Sequence, residues 1–181
     1  MLLSSNIEMV DLSLYLKEHR ALIVGDVHIG MEEALGKQGV LVPRFHLGDI
    51  LERLDAVLGR VGSVDLFIIN GDLKHEFGSI SRQEWRGTLA FIDAAAKKAK
   101  SVVIIKGNHD VLLGPIAKKR GISLVDHLLL GDTYITHGDK IPDNEDFKQA
   151  RRVIIGNEHP ALSVRDDARS ELFKCFLNPL S

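Results

Sequence analysis

Five times along this chain an apolar run breaks off and is followed at once by glycine and by side chains that bind metals. Ala21-Leu-Ile-Val24 leads into Gly25-Asp26-Val27-His28, and Leu66-Phe-Ile-Ile69 into Asn70-Gly71-Asp72. Val102-Val-Ile-Ile105 leads through Lys106 into Gly107-Asn108-His109-Asp110. Tyr134-Ile-Thr136 ends at His137-Gly138-Asp139, and Val153-Ile-Ile155 at Gly156-Asn157-Glu158-His159-Pro160. Short β-branched runs of this kind predict buried strands. In open α/β sheets, sites collect at the carboxyl ends of such strands. Five loops are therefore expected to converge on one place.

The stretches between them carry helical signals. Leu47, Ile50, Leu51, Leu54, Val57, Leu58 and Val61 recur at helical spacing, and Pro43 suits a first turn, so a helix is predicted from Pro43 to Gly62. Ser81 with Glu84 three residues on resembles a capping box for a helix running to about Lys100. Val111 to Arg120 is predicted helical and ended by Gly121. Leu12–Leu16 alternates like a half-buried strand, with a turn at residues 17–20 before the strand Ala21–Val24. Later strands are expected near Ile122–Val125, Leu128–Leu130, Thr133–Thr136 and Val153–Ile155. A turn at Arg165–Arg169 and a last strand at Leu172–Leu177 close the pattern. Strands and helices alternate early and strands dominate late, which predicts a layered α/β fold.

The chain has 181 residues, so one domain spanning 1–181 is expected. With 45% apolar residues and 27% charged it has the makings of a core, and its net charge of −2 excludes a strongly basic nucleic-acid binder. A single cysteine, Cys175, excludes an intrachain disulfide framework and fits a reducing compartment. No stretch approaches the ~20 apolar residues of a membrane span. Met1–Val10 has no basic segment leading into a long apolar run, so a signal peptide is not expected and the cytoplasm is the default location.

Aspartate and asparagine offer oxygen and histidine offers nitrogen, the mixture preferred by Mn²⁺, Fe and Zn²⁺. In an extended Asp26-Val27-His28 the first and third side chains point to one side and reach one ion. By the same rule Asn108 and His109 point oppositely, which leaves His109 for another task with Asp110 to orient it. Each cluster alone reads as well as an ordinary turn. Their joint order reads differently.

Asp26-x-His28, Gly71-Asp72, Gly107-Asn108-His109-Asp110, His137 and Gly156-x-x-His159 resemble the calcineurin-like metallophosphoesterase superfamily over about Leu12 to Leu177. Val24–Gly30, Glu32-Glu33-Ala34-Leu35, Pro43-Arg44-Phe45 and Gly71–Phe77 resemble more narrowly the small SbcD-related phosphoesterases of archaea. That resemblance implies a four-layer α/β/β/α sandwich with two divalent metal ions, Mn²⁺ first and Fe or Zn²⁺ as the other candidates. Asp26, His28, Asp72 and His159 would hold the first ion. Asp72 would bridge to the second, which adds Asn108 and His137. His109 would contact the phosphoryl group and assist the leaving oxygen, with Asp110 fixing its ring.

Two departures stand out. The superfamily's Gly-His-x-His is here Gly156-Asn157-Glu158-His159, so a neutral amide at Asn157 replaces a ligand of the second ion and weakens that site. Relatives also continue past Leu172–Leu177, so the last sheet is expected to lack a partner strand and to need covering or pairing with a second copy. The expected function is metal-dependent hydrolysis of phosphate esters, phosphodiesters of nucleic acid or nucleotides before monoesters. The alternative is a degenerate phosphate-binding or scaffold protein. His75 and Lys74 lie beside Asp72, and His75 is read as a phosphate contact or outer-shell group against a solvated loop residue; Arg44 is read as a phosphate contact or a surface residue. His19, His46 and His127 are read as surface or satisfied core residues. Lys97-Lys98-Ala-Lys100 and Lys118-Lys119-Arg120 are read as basic ends of helices.

Overall fold

The computed structural model describes residues 2–4, 6–40, 46–76, 78–166 and 169–178. Pro43, Arg44, Phe45 and Phe77, which carried expectations above, lie outside them.

A sheet of seven strands forms the centre, and its strands lie side by side in chain order. The strands are β1 (Leu2–Ser4), β2 (Ile7–Val10), β3 (Ser13–Leu16), β4 (Ala21–Val24), β5 (Val64–Asn70), β6 (Ala99–Ile105) and β7 (Ser123–Val125). β1 to β4 pair antiparallel, and β4 to β7 pair parallel. Parallel neighbours need crossovers, and helices supply them. These are α1 (Met31–Lys37) and α2 (His46–Val61) after β4, α3 (Arg82–Ala96) after β5, and α4 (Gly114–Arg120) after β6.

Alternation along each strand divides the core in two. Leu22, Phe67, Ile69, Val102 and Ile104 face the helices and pack with Leu54, Val57 and Leu58 of α2, Phe91, Ile92 and Ala95 of α3, and Ile116 of α4. Phe67 and Phe91 meet edge to face at 6.2 Å. Ala21, Ile23, Ile68 and Ile105 face the other way and pack on Ile135, Leu128, Leu130 and Ile154 of a second sheet. That sheet joins β8 (His127–Leu130), β9 (Thr133–Thr136) and β10 (Arg152–Ile154) in the order β10-β9-β8. A short helix, α5 (Glu145–Gln149), covers its outer face. There Tyr134 is almost wholly buried, stacks on His127, meets Phe147 edge-on and accepts a hydrogen bond from Asn144. The result is the expected four-layer α/β/β/α sandwich, its fourth layer a single short helix.

The local signals act as anticipated. Ser81 and Glu84 form both arms of a capping box on α3, and Gly121 ends α4 in the left-handed conformation. Lys118, Lys119 and Arg120 occupy the last turn of α4, where the macrodipole favours positive charge. Boundaries moved where a tertiary partner decided them. α3 stops at Ala96 because β5 recruits Ala99 onward as β6, and α4 begins only at Gly114. The last strand, expected at Leu172–Leu177, is β12 (Arg169–Lys174), which pairs antiparallel with β11 (Ala161–Asp166) in a separate hairpin. Every described residue of those two strands is exposed, including Leu172 and Phe173. Among the described residues no helix is long and apolar enough to cross a membrane.

The Phe67 ring is fully buried between α3 and the central sheet. Phe67→Ala should lower the unfolding free energy by about 3–5 kcal/mol, read as a shift in urea midpoint at unchanged slope.

Candidate metal centre

The carboxyl ends of β4, β5, β6, β9 and β10 meet at one end of the sandwich, and backbone hydrogen bonds tie the first two together. The amides of Asp26, His28 and Ile29 donate to the carbonyls of Gly71, Asp72 and Leu73 at 3.1, 2.9 and 2.9 Å. This lacing holds Asp26 and His28 beside Asp72. They are not extended, as the sequence reading assumed: φ is 52° at Asp26, 50° at His28 and 47° at Asp72. The chain turns left-handed at each, and side chains from successive turns gather on one point.

Asp72 lies at the middle and is 2% exposed. Its Oδ1 accepts from the His109 amide at 3.0 Å and lies 3.5 Å from Nε2 of His137. Its Oδ2 lies 4.0 Å from Nε2 of His28 and 3.7 Å from Nε2 of His109. One carboxylate thus presents an oxygen to each of two groups of donor side chains. On one side, Asp26, His28, Asp72 and His159 each bring a donor atom within 4.8 Å of the others. Asp26 sits 4.0 Å from Nδ1 of His159, and the His28 and His159 rings are 5.3 Å apart. On the other side, Asn108 Oδ1 is 3.0 Å from Nε2 of His137, a ring with no exposure. Asn157, also left-handed at φ 54°, donates its backbone amide to the Asp26 carboxylate.

Two glycines make room. A Cβ on Gly71, whose φ is +79°, would strike the His137 ring, and one on Gly107 would strike the Asp72 carboxylate and amide.

His109 and Asp110 differ from expectation. Residues 107–110 form a turn, so Asn108 and His109 do not diverge as on a strand, and both reach Asp72 or its neighbour His137. Nδ1 of His109 meets the His75 carbonyl oxygen rather than taking its orientation from Asp110. The Asp110 carboxylate accepts from the amides of Leu73 (3.1 Å), Lys74 (3.4 Å) and Gly107 (3.0 Å). Its work is to staple the β5 and β6 loops together, because buried amides need an acceptor more than the ring does. Glu84 was read only as half of a capping box. It also accepts from the amides of His75 and Glu76, both at 2.9 Å, and so anchors the carbonyl that His109 uses. The buried charge in an otherwise apolar helix face was its signal. His75 lies beside His28 and His109, and Lys74 is buried against the carbonyls of Glu76 and Ser79, so neither is a solvated loop residue.

The electrostatics fit a cation. Burial pushes the His28 pKa down to about 4 despite Asp72 nearby, so the ring is neutral near pH 7 and keeps a lone pair to donate. Burial raises Asp26, with His159 and His137 opposing. Asp26 Oδ1 and His28 Nδ1 are buried without a hydrogen-bond partner among the described residues. Orphaned donor-set atoms of this kind call for a ligand. The residues present therefore fit a divalent metal.

His28 also makes the metal-free protein acid-sensitive. The unfolded chain binds a proton at His28 near pH 6.5, and the folded chain refuses it until about pH 4. Its contribution to stability is thus intact above about pH 6.5 and declines as pH falls from there toward about 4. Urea unfolding of the metal-stripped protein from pH 7.5 to 4.5 should show that decline, and His28→Asn should flatten it.

No curated protein matches the chain significantly. A crystal structure of Pseudomonas putida nuclease MPE superposes with a TM-score of 0.63 at 26% identity, covering 96% of this chain and 86% of that one. A protein of unknown function from Aquifex aeolicus gives a TM-score of 0.42 at 17% identity, with coverage of 71% and 67%. The family model for calcineurin-like phosphoesterases matches residues 19–175, a span that takes in all five loops of the centre. The chain belongs to the calcineurin-like phosphoesterase family, whose hydrolysis of phosphate esters depends on divalent metal ions.

Proposed function

We propose that this protein hydrolyses phosphodiesters at a centre of two divalent ions sharing Asp72. The observation that carries this reading is the position of the Asp72 carboxylate, one oxygen toward His28 and the other toward His137. Asp26, His28, Asp72 and His159 would hold one ion. Asp72, Asn108 and His137 would hold the other, with the Asn157 side-chain amide as its weakest ligand. Mn²⁺ suits this mixture of carboxylate, amide and imidazole. Bound there, such ions neutralise phosphoryl oxygens and acidify water near neutral pH.

The chain's own residues do the rest. The His75 carbonyl can only accept, so His109 carries its hydrogen on Nδ1 and exchanges protons at Nε2. That nitrogen lies 3.7 Å from Asp72, and when the ring is doubly protonated it would pass the Nε2 proton to the departing ester oxygen, leaving the neutral imidazole. That proton serves an alkoxide leaving group of either ester class. The likeness to a nuclease supports diesters of nucleic acid or nucleotides as substrates.

Hydrolysis of a chromogenic phosphodiester and of the matching monoester with added Mn²⁺ tests the reading. Wild type should turn over the diester faster and only with metal. Asp72→Ala should abolish turnover. Asn157→His should lower the Mn²⁺ concentration needed by about tenfold, since imidazole binds transition metals better than an amide. Absence of metal-dependent turnover in both wild type and Asn157→His would make the protein a phosphate-binding scaffold instead.

A further inference from the structure

One trio of side chains at the end of the sandwich is arranged as a ligand set of its own. His28, His75 and His109 come from the loops after β4, β5 and β6, and each brings a ring nitrogen within 4.8 Å of the other two. The ring centroids stand 5.4 Å apart for His28 and His75, 5.2 Å for His28 and His109, and 5.7 Å for His75 and His109. His28 stands edge-on to both partners, while His75 and His109 stack.

Packing the rings this closely leaves polar atoms unanswered. Nδ1 of His28 and Nδ1 of His75 are both buried without a hydrogen-bond partner among the described residues. Only the backbone carbonyl of His75 serves the centre proposed above, so its orphan ring nitrogen is not explained by that centre. A buried ring nitrogen gives up water and needs something in return. The backbone that carries the His75 ring is pinned, because Glu84 accepts from the amides of residues 75 and 76 and the His75 amide also donates to the Ile29 carbonyl.

Its chemistry differs from that of the neighbouring set. Asp26, His28, Asp72 and His159 supply two carboxylates with two imidazoles, a hard mixture suited to Mn²⁺. Three imidazoles favour Zn²⁺, which binds three histidines and keeps a fourth position, and here Asp72 Oδ2 lies 4.0 Å from Nε2 of His28 and 3.7 Å from Nε2 of His109. His28 belongs to both sets, so an ion held through that ring in one excludes an ion in the other.

We propose that His28, His75 and His109 form a three-histidine Zn²⁺ position, and that zinc bound there inhibits the Mn²⁺-supported hydrolysis. Inhibition has two sources: His28 is withdrawn from the oxygen-rich set, and His109 is no longer able to carry a proton. Only the inhibitory consequence rests on the proposed function; the zinc position stands without it.

The test titrates the metal-stripped full-length chain with Zn²⁺, with Co²⁺ as a visible-absorbing stand-in, and separately with Mn²⁺. His75→Ala should weaken zinc binding by at least the ~10–100-fold that loss of a supporting partner costs, and should leave Mn²⁺ affinity unchanged. Asp26→Asn should do the opposite. In turnover assays His75→Ala should raise the zinc concentration that halves the rate, relative to its own zinc-free rate, by the same factor. Should His75→Ala fail to show the wild-type circular dichroism spectrum, His75→Gln takes its place as a neutral side chain of similar reach. Equal zinc affinity in wild type and the folded His75 variant overturns the position. Weakened zinc binding with unchanged inhibition overturns the inhibitory role. Failure of the hydrolytic reading itself looks different: zinc binds with the expected His75 dependence while Mn²⁺ supports no turnover.

Discussion

A carboxylate with almost no exposure has lost its water, and the groups around it must make up the difference. Asp72 is that carboxylate. Its oxygens have the His109 amide and ring, His137 and His28 as neighbours, and these come from three separate loops. The loops in turn are held by one another's backbones. Asp26, His28 and Ile29 donate to the β5 loop, and Asp110 gathers amides from the β5 and β6 loops. Removing any one strand of this weave leaves buried polar groups unpaired, which costs more than the bond itself.

The second sheet supplies the remaining donors, and the apolar core fixes how far away they are. Ile135 packs against the face of the central sheet that carries Ala21, Ile23, Ile68 and Ile105. His137 follows Ile135 by two residues, so the packing of that one isoleucine sets the height at which the imidazole meets Asp72 and Asn108. β10 lies parallel to β9, and the Gly156 amide donates to the His137 carbonyl at 2.8 Å, which carries the chain on to Asn157 and His159. A mutation in this interior should therefore register at the centre without touching it.

Where the sequence was informative, a local rule and a tertiary demand coincided. The apolar side chains of Ala21–Val24, Val64–Asn70 and Thr133–Thr136 build the core, and the polar residues after them are polar because strand ends open onto the site. Ser81 and Glu84 are a local device that the fold kept. Elsewhere the cause was out of view. α1 begins at a left-handed Gly30 with no side-chain cap, so no residue advertised its start. β1 and β2 are short edge pieces whose pairing depends on β3. The task of Asp110 was misread because its acceptors' partners are amides of Leu73 and Lys74, some 37 residues distant, which spacing along the chain does not reveal. The extended geometry assumed for Asp26 and His28 failed for a similar reason: lacing to the β5 loop overrides the strand conformation.

Among the described residues seven other than glycine have positive φ, and five of these are Asp26, His28, Asp72, Asn157 and His159. Aspartate, asparagine and histidine are the residues that tolerate this conformation best after glycine. They are also oxygen and nitrogen donors. Backbone shape and coordination chemistry thus draw on one small alphabet here, so exchange at these sites is filtered twice. Glutamate would keep a carboxylate and cysteine would give a softer donor, yet both fit this curvature poorly. The loops therefore bias the chain toward hard and borderline ions before any ion arrives, and selection for another metal would first have to redraw the main chain.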